Sequence, residues 1–181
     1  MIEIIDNFLT DKEYNYLQNH LIGNEHPNNG RSIIPWYYND AIDGPSFVEK
    51  NKQTYQFCHT FISLNEVRSD WYVPLNMEFD KILGKCQNVL RIKANLVPRT
   101  YEIIENTFHT DFNPPIIDES FITSIFYVNT NNGYTLFEDG TKIDSIKNRL
   151  IRFPATLKHT GTTCTDEKIR VVINFNYEPG E

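Results

Sequence analysis

The sequence predicts a mainly β chain, an antiparallel sandwich or barrel preceded by helices, and three features carry that expectation. Aromatic residues make up 13% of the 181 residues, with 10 Tyr and 12 Phe, a content suited to pleated surfaces where rings pack on cross-strand neighbours. From Val89 onward the sequence breaks into short β-type runs separated by turn-like segments, the texture of antiparallel strands in a sandwich or barrel. Asp139-Gly140 lies between Tyr134-Thr-Leu-Phe137-Glu138 and Thr141-Lys-Ile143, and this dipeptide tolerates the positive φ of a two-residue type I′ hairpin turn.

Each element follows from local chemistry. Thr10-Asp-Lys-Glu13 is a capping-box sequence, and Tyr14, Leu17 and Leu21 follow it at helical spacing, so a first helix is expected from Asp11 to Ile22. Asn24 to Arg31, rich in Asn, Gly and Pro, reads as a loop, and Ile33 to Tyr38 and Tyr55 to Leu64 have strand composition. The stretch between them, Asn39 to Asn51, reads as irregular. Leu75, Phe79, Ile82 and Leu83 share one helical stripe, which predicts a second helix from Leu75 to Cys86. The later strands are expected at Val89 to Val97, Phe121 to Val128, Tyr134 to Phe137, Leu150 to Phe153 and Ile169 to Tyr177.

The length suits one domain, 1–181, able to bury a core without disulfides. A formal net charge of -7 repels polyanions and disfavours nucleic acid as a partner. Cys58, Cys86 and Cys164 are odd in number and form no CxxC, so they read as free thiols of a reducing compartment. The opening Met1-Ile-Glu-Ile-Ile-Asp-Asn-Phe-Leu lacks the basic and apolar regions of a signal peptide, and no run is long enough to span a bilayer. These features lead to the expectation of a cytoplasmic protein that does not engage membranes.

The chemistry-bearing residues begin in Asn106-Thr-Phe-His109-Thr-Asp111-Phe. In an extended chain, side chains at i and i+2 emerge on one face, so His109 and Asp111 can reach one cation. A third candidate, His159, stands in Leu157-Lys-His159-Thr-Gly161, and Arg170 opens the later strand Arg170-Val-Val-Ile-Asn-Phe-Asn-Tyr177. Two imidazoles and one carboxylate leave half of an octahedral shell open for exogenous ligands. Alternation along that strand puts Arg170, Val172, Asn174 and Asn176 on one face, and alternation along Phe121 to Val128 groups Tyr127 with Thr123 and Ile125.

This ordered set, H-x-D, a distal His, and an Arg eleven residues beyond it, resembles the catalytic core of the Fe(II)/2-oxoglutarate dioxygenases, in their prolyl-hydroxylase-like branch. Phe121-Ile-Thr-Ser-Ile-Phe-Tyr127-Val-Asn resembles the strand after the first metal motif of that branch. Gly133-Tyr-Thr-Leu-Phe-Glu-Asp resembles its hairpin, and Ile4-Ile-Asp-Asn-Phe-Leu-Thr resembles its opening. The likeness is good over roughly half the chain and poor from Asn24 to Asp70. It implies a double-stranded β-helix (a jelly-roll or cupin-like core) over about 89–177, with helices and strands of 1–88 packed on it.

The same resemblance implies Fe(II) on His109, Asp111 and His159, and 2-oxoglutarate with its distal carboxylate on Arg170. The planar guanidinium suits that bidentate contact. Tyr127 would touch the same carboxylate, Ile125 and Asn174 would line the pocket, and Arg99 and Tyr101 occupy positions where relatives place substrate or co-substrate contacts. O₂ would be the second co-substrate, and ascorbate would support turnover in vitro. The implied reaction hydroxylates an unactivated C–H bond of a prolyl, other amino-acid or peptide substrate, or a small molecule. Alternatives are a nucleobase-directed oxygenase, a non-catalytic or zinc-binding module on the same fold, and a zinc hydrolase.

Other conspicuous residues have plainer readings. His20, His26 and His59 have no acid or second His at ligand spacing, so structural or surface roles are expected. Trp36, Tyr37 and Tyr38 read as core aromatics of a strand. Lys142, Lys147, Arg149 and Arg152 read as a solvated hairpin face.

Overall fold

The computed structural model describes residues 1–23, 31–40, 42, 54–112 and 118–180. In chain order they form β1 (Glu3–Ile5), α1 (Asp11–Leu21), β2 (Tyr37–Asn39), β3 (Gln56–Ser63), β4 (Glu66–Val67), α2 (Tyr72–Leu83) and β5 (Cys86–Pro98). There follow β6 (Ile122–Tyr127), β7 (Tyr134–Phe137), β8 (Lys142–Asp144), β9 (Arg149–Pro154), β10 (His159–Gly161) and β11 (Ile169–Pro179).

Among the described residues a larger sheet runs β1-β9-β6-β11-β5-β3-β2, with β4 on β3, and a smaller one runs β10-β7-β8. All named pairings are antiparallel. The two sheets facing each other, with helices behind the larger one, form the jelly-roll architecture of a double-stranded β-helix.

Strand alternation divides β11 between two cores. Val171, Ile173, Phe175 and Tyr177 point outward and are buried with Leu17 and Leu21 of α1 and Leu75, Phe79 and Ile82 of α2. Val172 points inward, where it packs with Ile125, Tyr127, Phe137, Ile143, Ile151 and Phe153 from both sheets. Burying a large apolar side chain of this kind stabilises by about 1.5–3 kcal/mol, so a one-residue slip of β11 would turn its whole apolar set to the wrong face. The N-terminal segment is tied to the same body: Arg149 donates to both oxygens of Asp6, at 2.6 and 2.9 Å.

The first helix has its expected capping box: Thr10 Oγ1 accepts from the Glu13 amide at 3.5 Å while Glu13 accepts from the Thr10 amide at 2.9 Å. The second helix starts earlier than its apolar stripe suggests. Ser69 holds the amides of Trp71 and Tyr72 at 3.2 and 3.0 Å, and Pro74 falls in the first turn, where its missing N–H costs nothing. It stops at Gly84, whose φ of 62° allows its amide to reach Asp80 O at 2.8 Å.

Two local expectations are corrected. The strand Ile33 to Tyr38 is reduced to Tyr37–Asn39, because the amides of Ile33 and Ile34 donate to His20 O at the end of α1, at 3.0 and 3.1 Å, and Pro35 has no amide to give. Tyr37 and Tyr38 are exposed by 62% and 61%, so only Trp36 of that aromatic run packs on the core. The Asp139-Gly140 hairpin does join β7 to β8, but with a different turn. Only Gly140 has positive φ, 87°, and its amide donates to Phe137 O at 3.0 Å. That is a three-residue connection, a tight turn ending in a left-handed glycine, not a type I′ pair.

No described helix is long and apolar enough to cross a membrane. Cys58, Cys86 and Cys164 are free thiols. The loops expected over Asn24 to Arg31 and Asn39 to Asn51 lie largely outside the described residues, as do residues 113–117.

Candidate active site

His109 and His159 face each other across an antiparallel bridge, each amide donating to the other's carbonyl at 3.0 Å. That bridge, with a second one between Glu105 and Thr162, lays the chain before Asp111 along β10 and so extends the smaller sheet. Ring centroids of the two histidines are 5.2 Å apart. Asp111, two residues on, brings its carboxylate to the same point: one ligand atom from each of His109, Asp111 and His159 falls within 4.8 Å of the others.

The protonation states suit a cation. His109 Nδ1 lies 3.0 Å from Thr107 O and His159 Nδ1 lies 3.2 Å from Leu157 O. A carbonyl only accepts, so both Nδ1 atoms carry a proton, and Nε2 is the nitrogen each ring can turn to a metal. Burial pulls the pKa of His159 below its ordinary value, although Asp111 opposes it, so the ring is neutral at pH 7. Burial pushes the Asp111 carboxyl upward, but the Arg91 guanidinium, His159, a hydrogen bond from Asn176 and His109 outweigh it, and the group stays ionised far below the usual carboxylate range. Two imidazoles and a carboxylate on one side are a donor set for a divalent first-row metal with open positions.

Asp111 is held by residues that sequence reading missed or left without a role. Arg91 Nη2 meets its Oδ1 at 2.5 Å and Asn176 Nδ2 donates to its Oδ2 at 2.8 Å. Arg91 Nε also donates to Asn176 Oδ1 at 3.1 Å, and Asn176 Nδ2 to Thr123 Oγ1 at 2.9 Å. The Arg91 guanidinium lies over the Phe112 ring, 4.8 Å from its centroid. Parity had put Asn176 and Thr123 on the inner face, but only the β11–β5 register, Asn176 opposite Arg91, brings in the arginine.

Arg170 reaches into the space between the sheets. It is 4% exposed, and its Nε donates to Ser145 Oγ at 2.9 Å while Nη2 donates to Thr135 Oγ1 at 3.3 Å and Tyr134 O at 3.4 Å. Every one of these acceptors is neutral. Burial accordingly pulls the guanidinium pKa below its ordinary value, as expected of a desolvated cation that has no counter-ion among the described residues. The side chain passes where a neighbour has no Cβ: a methyl on Gly133 would stand 2.8 Å from Arg170 Cδ and 2.7 Å from Thr163 O.

Tyr127 is fully buried, and its hydroxyl donates to Thr135 Oγ1 at 2.8 Å. Thr135 therefore accepts from Tyr127 and from Arg170, which leaves its own hydroxyl proton to offer elsewhere. Tyr127, Thr135, Ser145 and Arg170 form one polar cluster; Thr135 lies in the Gly133-Tyr-Thr-Leu-Phe hairpin motif, which left its role unread, and Ser145 carries no recognisable sequence signal. Ile125 is buried in the inner core opposite Asn174, and Asn174 has a buried Oδ1 with no hydrogen-bond donor among the described residues.

Arg99 and Tyr101 are not brought into this group: they follow the end of β5, Arg99 is exposed, and Tyr101 is 103% exposed. Among the other histidines, His59 lies on the helix side of the sheet with Nδ1 on Pro35 O at 2.7 Å and Nε2 on Ser69 Oγ at 2.8 Å. His20 Nδ1 donates to Tyr16 O at 2.8 Å, and His26 lies outside the described residues. The basic hairpin residues are engaged at the surface, Arg149 with Asp6, Arg152 with Glu3, and Lys142 over the Tyr134 ring at 3.8 Å.

No protein-family model matches the chain, and no curated protein sequence matches it. Solved structures do. A collagen prolyl hydroxylase from Paramecium bursaria chlorella virus-1, in complex with 2-oxoglutarate, aligns with a TM-score of 0.56 at 15% identity, covering 99% of this chain and 96% of the other. A prolyl-4-hydroxylase from Pseudomonas putida aligns with a TM-score of 0.57 at 12% identity, over 99% and 93%. HygX from Streptomyces hygroscopicus, with nickel, 2-oxoglutarate and hygromycin B bound, aligns with a TM-score of 0.56 at 8% identity, over 98% and 82%. Along nearly its whole length the chain has the fold of these three proteins, two of them prolyl hydroxylases and two of them solved with 2-oxoglutarate.

Proposed function

We propose that the chain is a non-haem Fe(II)- and 2-oxoglutarate-dependent oxygenase that hydroxylates an unactivated C–H bond of an amino-acid, prolyl or peptide substrate. The observation that carries this reading is Arg170: a buried guanidinium bonded only to neutral acceptors, between the same two sheets as a His-Asp-His set. A buried unpaired cation is costly unless an anion joins it, and the distal carboxylate of 2-oxoglutarate is such an anion. Among structures with this fold, the viral prolyl hydroxylase is a complex with 2-oxoglutarate and HygX has 2-oxoglutarate and nickel bound.

In this reading His109, Asp111 and His159 hold Fe(II), which, when bound, supplies the redox chemistry of the balanced reaction R–H + 2-oxoglutarate + O₂ → R–OH + succinate + CO₂. The chain's own contributions are binding and orientation. Arg170 and the Thr135 hydroxyl bind the distal carboxylate of the co-substrate, and Tyr127 fixes Thr135. The carbonyls of Thr107 and Leu157 keep the two imidazoles in the ligating tautomer, and Arg91 with Asn176 fixes the carboxylate. The inner apolar cluster, Ile125, Phe137, Ile151, Phe153 and Val172, keeps water away from the space beside them.

Succinate formation tests the reading directly. With Fe(II), ascorbate and 2-oxoglutarate, the protein should release succinate, faster in the presence of a substrate from a panel of amino acids and peptides. Zinc should inhibit. Absence of succinate under all those conditions, from protein that binds Fe(II), would remove the proposal.

A further inference from the structure

We infer that Lys93 and Asn174 form the anchor for the backbone end of a free α-amino acid, so that the substrate is a zwitterion and not a residue inside a peptide; this rests on the oxygenase reading above. The register sets out one row across the larger sheet: Thr60 on β3, Lys93 on β5, Asn174 on β11 and Ile125 on β6 are direct partners in turn. The adjacent row is Arg91, Asn176 and Thr123, whose first two members hold Asp111. Rows two residues apart are separated by about 7 Å, so a molecule seated on Lys93 and Asn174 extends naturally to the metal ligands.

Arg91, Asn176 and Asn95, the inner-face polar side chains flanking Lys93 and Asn174, have partners within the chain. Arg91 is paired with Asp111 at 2.5 Å, Asn176 bonds Asp111 and Thr123 at 2.8 and 2.9 Å, and Asn95 Oδ1 accepts from Cys58 Sγ at 3.5 Å. Lys93 and Asn174 differ. Lys93 is half-buried and, among the described residues, has neither an ion pair nor a side-chain hydrogen bond, in a protein of net charge -7. Asp111, the carboxylate held by the adjacent row, is already taken by Arg91. Asn174 Oδ1 is buried without a donor, and a turn of its terminal amide, whose torsion is broad and two-fold, presents that oxygen between the sheets.

The two deficits are complementary in kind: an ammonium that lacks an anion and an amide oxygen that lacks an N–H. Residues directly opposite in an antiparallel pair have Cα atoms about 4.5–5.5 Å apart, a separation that suits the carboxylate and amine flanking one α-carbon. A residue within a peptide carries neither charge, and leaves Lys93 unpaired.

The test uses protein loaded with Mn(II) and 2-oxoglutarate without oxygen, titrated calorimetrically with the common L-amino acids, proline included, and with their amides and N-acetylated peptides. At least one free amino acid should bind, and its amide should bind at least tenfold more weakly. Lys93→Met should lose at least tenfold for the free acid and abolish the difference between acid and amide, and Lys93→Arg should restore much of it. Affinity for 2-oxoglutarate should stay within about twofold in both variants. If 2-oxoglutarate binds and no free amino acid does, or if amides and peptides bind as well as free acids, the anchor is overturned while the oxygenase reading stands. Tenfold weaker 2-oxoglutarate binding in Lys93→Met would overturn it too, by giving Lys93 to the co-substrate. Failure of the parent to bind 2-oxoglutarate at all would sink both readings.

Discussion

At the Asp111 end of the inner face, charge is compensated within the chain: Arg91 meets one carboxylate oxygen at 2.5 Å and Asn176 the other at 2.8 Å. At the Arg170 end it is not, since among the described residues the buried guanidinium finds only Ser145, Thr135 and a backbone carbonyl. The difference separates two tasks. A carboxylate that must keep one orientation while a metal comes and goes needs a permanent partner. A cation that must admit an anionic co-substrate needs neutral partners, strong enough to position it and weak enough to leave its charge available. The first end is built for geometry and the second for affinity, so substitutions at the two ends should fail in different assays.

The largest effects belong to the ligands. His109→Ala, Asp111→Ala or His159→Ala should abolish Fe(II) binding and lower succinate formation by on the order of 10³-fold or more, with far-UV circular dichroism unchanged. The same removal at His59, on the helix side, should leave metal binding intact. Turnover at the parent rate in any of the three ligand variants would break the assignment of the metal end.

Arg170→Ala comes next and acts only at the other end. Leaving a co-substrate carboxylate without its partner should cost about 2 to 4 kcal/mol, roughly 30- to 800-fold in 2-oxoglutarate affinity. Fe(II) binding should persist. Arg170→Lys keeps the charge but loses the fork and should fall between. Anaerobic calorimetry on the Mn(II)-loaded variants decides it: an unchanged dissociation constant would place the co-substrate tail elsewhere.

Gly133→Ala reaches the same end without touching a charge. Its new methyl would stand 2.8 Å from Arg170 Cδ and 2.7 Å from a backbone oxygen, closer than real contacts allow, so Arg170 or the Gly133 backbone must shift. Strain of this type costs about 1–3 kcal/mol. Lower stability to denaturant, together with weakened 2-oxoglutarate binding and normal metal binding, is the expected pattern; if metal binding fell as well, the two ends would not be separable.

A pH experiment addresses both faces of the molecule. Burial pulls down the pKa of His159 at the metal end, against the opposing pull of Asp111, and that of His59 behind the sheet, against its bond to Pro35 O. The unfolded chain protonates these rings near pH 6.5, where the folded one resists. Their neutral burial therefore contributes fully above about pH 6.5 and is lost as pH falls below it. Metal-free protein should show a falling denaturant midpoint from pH 7.5 to 5.5. His59→Gln should flatten that slope in part without altering metal affinity; an unchanged slope would place the pH sensitivity elsewhere.

How much of this was legible in the sequence depends on whether a feature is local or needs register. Alternation along β11 and β6 correctly grouped Arg170, Asn174 and Asn176 in one set and Thr123, Ile125 and Tyr127 in another, because side-chain parity is a property of each strand alone. The α1 capping box was equally local. Arg91 was not legible as the partner of Asp111, since that depends on which residue of β5 faces Asn176, and the pairing shifts register at Asn176/Tyr177. The contacts of Thr135 and Ser145 with Arg170 were invisible for the same reason, as these residues come from the smaller sheet and its hairpin. The short strand His159–Gly161 could not be seen from composition, being fixed by its partners Phe137, Leu136 and Thr135 and by His109. Arg99 and Tyr101 were expected near the site from where relatives place contacts, but β5 ends at Pro98, and beyond a strand's end alternation no longer says where a side chain points.

The smallest effect tests the inner order of the Arg170 end. Tyr127→Phe removes a hydroxyl that donates to Thr135 at 2.8 Å and touches no charge directly. The ring stays buried beneath the guanidinium, 5.8 Å from its carbon to the ring centroid, so packing is retained and only one hydrogen bond is lost, worth about 0.5–1.5 kcal/mol. If Tyr127 acts by fixing the Thr135 hydroxyl, 2-oxoglutarate affinity should fall roughly two- to tenfold, and Thr135→Val should bring a similar loss. The double variant should then lose little more than Thr135→Val alone, because two residues acting through one hydroxyl are not additive. Fully additive losses, measured in the same calorimetric titration, would mean that the Tyr127 hydroxyl contacts the carboxylate itself.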